Sequence, residues 1–61
     1  MAKSHILIKN VILMKRYVRH ILFTGNILTV EYVGGKKKRY ILESEPTPEE
    51  VAAYEVELED R

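Results

Sequence analysis

Between Ile27 and Val33 the chain alternates: Leu28, Val30 and Tyr32 fall on one side, Thr29 and Glu31 on the other. A period of two is the signature of a half-buried strand. Gly25-Asn26, just before it, is a two-residue signal for a type II′ hairpin. Closing that turn puts Ile21 and Phe23 on the same face as Leu28, Val30 and Tyr32. After it, Gly34-Gly35 marks a second turn leading into a strand over 37–43. A Gly34-Gly35-Lys36 loop sets Val30 opposite Tyr40, Leu28 opposite Leu42 and Glu31 opposite Arg39. Two apolar pairs and one charge pair favour that register over a two-residue loop.

The C-terminal third changes period. Thr47-Pro48-Glu49-Glu50 is a helix start, with Thr47 as N-cap, Pro48 in the first helical position and Glu50 three residues after the cap. Val51, Tyr54 and Leu58 follow at helical spacing, so a helix is expected over about 48–58. Its last turn, with Glu57, Glu59 and Asp60, is acidic where the helix dipole prefers cations, which predicts fraying or a basic partner. Glu43-Ser44-Glu45-Pro46 is the linker into it.

The first third has two readings. Ile6–Ile8 is a short strand ended by Lys9-Asn10, and no Gly, Pro, Asn or Asp punctuates 11–23. A helix over 11–22 clusters Leu13, Met14, Tyr17, Val18, Ile21 and Leu22 opposite Lys15, Arg16, Arg19 and His20. Strands over 11–17 and 19–24 with a bend between them suit the β-branched residues and the extended approach to Gly25-Asn26. The expected class is therefore α+β. Its architecture is a small curved antiparallel sheet or SH3-like barrel with a C-terminal helix. The alternative is β-α-β-β-α with a helix over 11–22.

Sixty-one residues hold a single domain, and a chain this short buries only about 60% of its unfolded surface, so it is marginal alone. There is no cysteine to staple it, and two histidines make a structural zinc site improbable. The 46% hydrophobic content is too high for a disordered chain. No apolar run reaches the roughly 18 residues of a membrane span, and Ile6-Leu7-Ile8 is too short for a signal-peptide core. A soluble cytoplasmic protein is the expectation.

Charge alters the picture most. Residues 1–42 carry nine cations against Glu31 alone, a net +8, whereas residues 43–61 carry eight acids against Arg61, a net −7. A basic body favours anionic partners; an acidic tail shields it or recruits a cationic protein. The hydroxyls of Ser4, Ser44, Thr24 and Thr29 have no sequence pattern of base and orienting acid around them, and Gly34-Gly35 joins two strands rather than a strand and a helix. The expectation is a non-enzymatic protein with no cofactor. His5 and His20 read as surface polar residues.

Lys36-Lys37-Lys38-Arg39 is the strongest local signal, joined by Lys15, Arg16 and Arg19 and by Tyr40. As a hairpin tip it deters edge-to-edge aggregation; as a binding loop it sits on phosphates and releases counterions.

From residue 19 onward the order is strand, tight turn, strand, Gly-Gly-Lys turn, basic strand, acidic Pro-containing linker, helix. This layout resembles the small crenarchaeal chromosomal proteins, over roughly two-thirds of the chain. The resemblance implies an SH3-like barrel of a two-stranded and a three-stranded sheet, closed by a helix, that binds duplex DNA through the three-stranded sheet. It also implies binding residues around Phe23, Asn26, Thr29, Glu31, Arg39 and Ile41. The family's exposed Trp is missing here and the tail is far more acidic. The functional expectation is nucleic-acid binding of low sequence specificity, duplex DNA favoured. The alternatives are a homodimeric protein-interaction module joined body to tail and a basic amphipathic helix on a membrane surface.

Overall fold

The computed structural model describes residues 4–59; Lys3, Asp60 and Arg61, counted above among the charges, lie outside the described residues. Two antiparallel hairpin-based sheets and one helix make an α+β domain. Strands β1 (His5–Ile8) and β2 (Val11–Met14) form a two-stranded sheet. A 3₁₀ turn, Lys15–Tyr17, leads into β3 (Val18–Thr24), β4 (Ile27–Tyr32) and β5 (Lys37–Ile41), which pair in that order. Helix α1 runs Pro48–Glu59. This is the expected α+β class of antiparallel sheet with a C-terminal helix; the strands divide into a two-stranded and a three-stranded sheet, and no closed barrel forms.

Residues 11–14 and 18–22 are strand, joined only by the short 3₁₀ turn, which removes the alternative of one helix over 11–22. Burial there follows a period of two, with Val11 and Leu13 inside and Ile12 outside, so the sheet buries a cleaner apolar face than the wheel. The bend between the two strands is the 3₁₀ turn, whose Lys15 N–H donates to Ser4 O at 2.9 Å. Gly25 has φ +60 and Asn26 has negative φ, the type II′ pattern, and Phe23 faces Leu28 as expected.

The second hairpin pairs two residues away from the expected register. Leu28 faces Tyr40, Thr29 faces Arg39, Val30 faces Lys38 and Glu31 faces Lys37. The turn is Val33-Gly34-Gly35: Gly35 N–H donates to Tyr32 O (3.0 Å) and Tyr32 N–H to Lys36 O (2.7 Å). Gly34 and Gly35 take φ of +100 and +91, a geometry open to glycine and unfavourable to Lys36. Val33 leaves the ladder to donate to Tyr17 O at 2.8 Å. A shift of two keeps every side chain on its face.

The inner faces of both sheets share one core of Ile6, Ile8, Val11, Leu13, Val18, Ile21, Leu28 and Val30, closed by Leu42 and Leu58. The expected capping box is present: Glu50 N–H donates to Thr47 Oγ1 (3.1 Å) and Thr47 N–H to Glu50 Oε1 (2.9 Å). The turns of the first two hairpins hold the linker. Asn10 Nδ2 donates to Ile41 O (3.3 Å), Glu43 N–H donates to Asn10 Oδ1 (2.9 Å) and Leu42 N–H donates to Asn26 O (2.7 Å).

Candidate nucleic-acid interface

Cross-strand pairing fixes what the outer face of the three-stranded sheet displays. Three rows run across it: His20–Glu31–Lys37, Leu22–Thr29–Arg39 and Thr24–Ile27–Ile41. Paired residues share a face, so the opposite rows, Ile21–Val30–Lys38 and Phe23–Leu28–Tyr40, point to the core side. The outer rows combine large aliphatics with cations. Leu22 is 57%, Ile27 38% and Ile41 74% exposed, well outside the core. Thr24, Ile27, Thr29 and Arg39 line a shallow depression on this face.

The basic residues singled out from the sequence separate into three groups. Lys37 and Arg39 stand on the outer face, with Lys36 exposed in the turn at its end. Arg16 and Arg19 are exposed and flank that end: the Val33–Tyr17 backbone bond ties the 3₁₀ turn to the β4–β5 turn, and Arg19 sits where a bulge interrupts β3 between Val18 and His20. The Arg16 guanidinium lies 5.5 Å from the centre of the Tyr17 ring. The remaining two cations, Lys38 and Lys15, turn away, as does Tyr40. Lys38 places its ammonium 5.3 Å from the Tyr40 ring centre. Tyr40 is half-buried, its hydroxyl 2.5 Å from that of Tyr32. Burial and then this hydroxyl partner push the Tyr32 pKa up to about 12. Lys15 is only 3% exposed, its Nζ 3.6 Å from Glu57 Oε2. Its inclusion among phosphate contacts is thereby corrected: its stem fills the core edge and its charge meets the helix.

Of the residues implied by the resemblance, Thr29, Glu31, Arg39 and Ile41 share the outer face. Phe23 points inward, its ring 6.0 Å from that of Tyr54, and Asn26 lies in the turn. Sequence reasoning did not single out the exposed aliphatics Leu22 and Ile27 on this face. Their signal was available: between His20 and Thr29, the positions alternating with the core set also carry aliphatics.

Acids on α1 account for the other lysines near it. Lys9 Nζ donates to both Glu50 oxygens at 3.0 and 2.9 Å. The bond to Glu50 raises the Lys9 pKa, and the Thr47 backbone N–H, followed by Lys9, lowers that of Glu50. Among the described residues no group of His, Asp and Glu gathers to hold a metal, and no helix is long and apolar enough to cross a membrane. No protein-family model, curated protein or solved structure matches the chain.

Proposed function

We propose that the outer face of the three-stranded sheet binds nucleic acid, duplex DNA in particular, with low sequence specificity. The observation that supports it is the coincidence, on one open face, of exposed Leu22, Ile27 and Ile41 with Lys37 and Arg39, rimmed by Lys36, Arg16 and Arg19. An ordinary solvated strand face lacks the aliphatics, and an ordinary apolar contact lacks the cations. The cations meet phosphates, displacing counterions and giving most of the affinity. The aliphatics lie against sugars and base edges in a shallow groove, where apolar side chains press between steps. Thr24 and Thr29 supply hydroxyls for backbone oxygens, contacts that position without reading sequence. Glu31 opposes phosphate on its own; flanked by Lys37 and His20 across the strands, it keeps that row close to neutral.

Fluorescence anisotropy of a labelled duplex, titrated across salt, tests this reading. Micromolar or tighter affinity with a log–log salt slope corresponding to about four or more phosphates is the expected result. No binding at low salt overturns it and leaves the same aliphatic face to a protein partner.

A further inference from the structure

Residues 1–42 hold a single acid, Glu31, and the fold sets it on the central strand of the cationic face. His20 of β3 stands on one side of it and Lys37 of β5 on the other. Its side chain is half-buried, and its carboxylate makes no ion pair or side-chain hydrogen bond among the described residues. Glu31 is thus neither a core residue nor the fixed partner of Lys37. On a face that meets phosphates its charge is repelled, unless it lies against something else.

The strand order says what that is. Exposed cations flank the central strand, Lys37 and Arg39 on β5 and Arg19 on β3. Phosphates form the two walls of a groove, so flanking cations take the walls and β4 lies over the floor, against base edges. At about 4.8 Å between strands, three strands span about 10 Å before side chains are added. The major groove, about 12 Å wide, admits a helix or a two-stranded ribbon. A three-stranded face with exposed aliphatics lies instead over a minor groove opened by apolar wedges. On that floor A·T pairs show only acceptors, and G·C adds one donor, the guanine N2 amine. An ionised carboxylate only accepts. Set over A·T, Glu31 stays unpaired among acceptors, which is costly.

We propose that Glu31 accepts a hydrogen bond from the guanine N2 amine and gives the face a preference for a G·C pair at that one position. The assignment rests on the outer face binding duplex DNA. Thr29 lies two residues along the strand, about 6.8 Å away or about two base-pair steps. Its hydroxyl donates or accepts alike and does not discriminate. One reading position among indifferent neighbours is compatible with low overall specificity.

Inosine in place of guanine removes the N2 amine and leaves the rest of the pair's hydrogen-bonding edges in place. Anisotropy on two G·C-rich duplexes, one with every guanine replaced by inosine, therefore isolates this contact. The natural chain is expected to bind the guanine duplex about tenfold more tightly. In Glu31→Ala the ratio should fall to about one, with the inosine duplex bound more tightly than by the natural chain, because a charge opposing phosphate is gone. Glu31→Gln keeps an acceptor without the charge and should retain about threefold. Circular dichroism of both variants should match the natural chain, since Glu31 has no ion pair to lose. Equal binding of the two duplexes by the natural chain, or a preference that survives Glu31→Ala, overturns the assignment and leaves the nucleic-acid face standing. Failure to bind either duplex at low salt removes both.

Discussion

Lys9, in the turn of the two-stranded sheet, meets both oxygens of Glu50, and Lys15, just beyond that sheet, meets Glu57. Lys37 and Arg39 on β5 face Glu31 and Thr29 across the strand, and the ion pairs among the described residues do not involve them. The acidic helix therefore neutralises Lys9 and Lys15, and its shown ion pairs leave the cations of the three-stranded sheet aside. A sequence dipole of +8 against −7 becomes, in three dimensions, a short-circuited side and a cationic face. The lysines beside the helix serve the fold; those on the three-stranded sheet are available to an anion. A body-to-tail contact between copies has correspondingly fewer free acids to draw on, because Glu50 and Glu57 already have partners within the chain.

Breaking this division on the helix side gives the largest effect. Lys15→Ala removes a buried stem and is expected to destabilise by about 2 kcal/mol, a melting-temperature drop of roughly 10 °C at this size. The salt slope of duplex binding should stay unchanged. Calorimetry and anisotropy on the same sample check both halves, and a flattened slope would return Lys15 to the interface. The complementary change, Lys37→Ala with Arg39→Ala, is expected to weaken duplex binding about tenfold (about 1.4 kcal/mol). The log–log slope should fall by about 2 across all sequences. Melting should shift little, since exposed substitutions stay within about 0.5 kcal/mol. Removing the helix cap with Thr47→Ala is expected to cost about 1 kcal/mol, visible as a lower denaturant midpoint with an unchanged slope.

The smallest effect is a pH dependence confined to the Lys9–Glu50 pair. Glu50 titrates below the usual carboxylate value in the fold, so its contribution is present above that value and is lost as pH falls through the lowered one. Lys9 titrates above its usual value, so its share is present below 10.5 and is lost only as pH rises beyond the raised value. The melting-temperature gap between the natural chain and Glu50→Gln should hold steady at neutral pH and close as pH drops below about 4. A gap that stays constant into acid would mean that hydrogen bonding alone, without charge, fixes Glu50.

Much of this architecture was legible because single residues decided it. Gly25-Asn26 set the first register of the large sheet, and Thr47 with Glu50 set the helix start. The β4–β5 register was not legible. Two apolar pairs and a charge pair pointed to the wrong partner of two equally faced alternatives. The deciding contacts, Val33 to Tyr17 and Leu42 to Asn26, come from segments distant in sequence. The candidate site was half legible. The Lys36–Arg39 run announced its cations, but strand alternation sends Lys38 and Tyr40 to the opposite side from Lys37 and Arg39. Lys15 looked like a surface cation because its acid, Glu57, lies far along the chain and arrives only when α1 docks.

Lys9 is the described non-glycine residue with positive φ, at 56°, in a turn where Gly25's counterpart is unstrained. Taken alone, the β1–β2 turn is locally disfavoured; what holds it is a helix whose nearest end lies almost forty residues away. This sets a folding order. The Gly25-Asn26 hairpin closes on local chemistry and belongs in the nucleus, while the first hairpin waits for α1 to deliver Glu50. Rate measurements on conservative variants should find β3–β4 side chains already engaged in the transition state and β1–β2 side chains engaged late. The strands that come first in this sequence would then be among the last to settle.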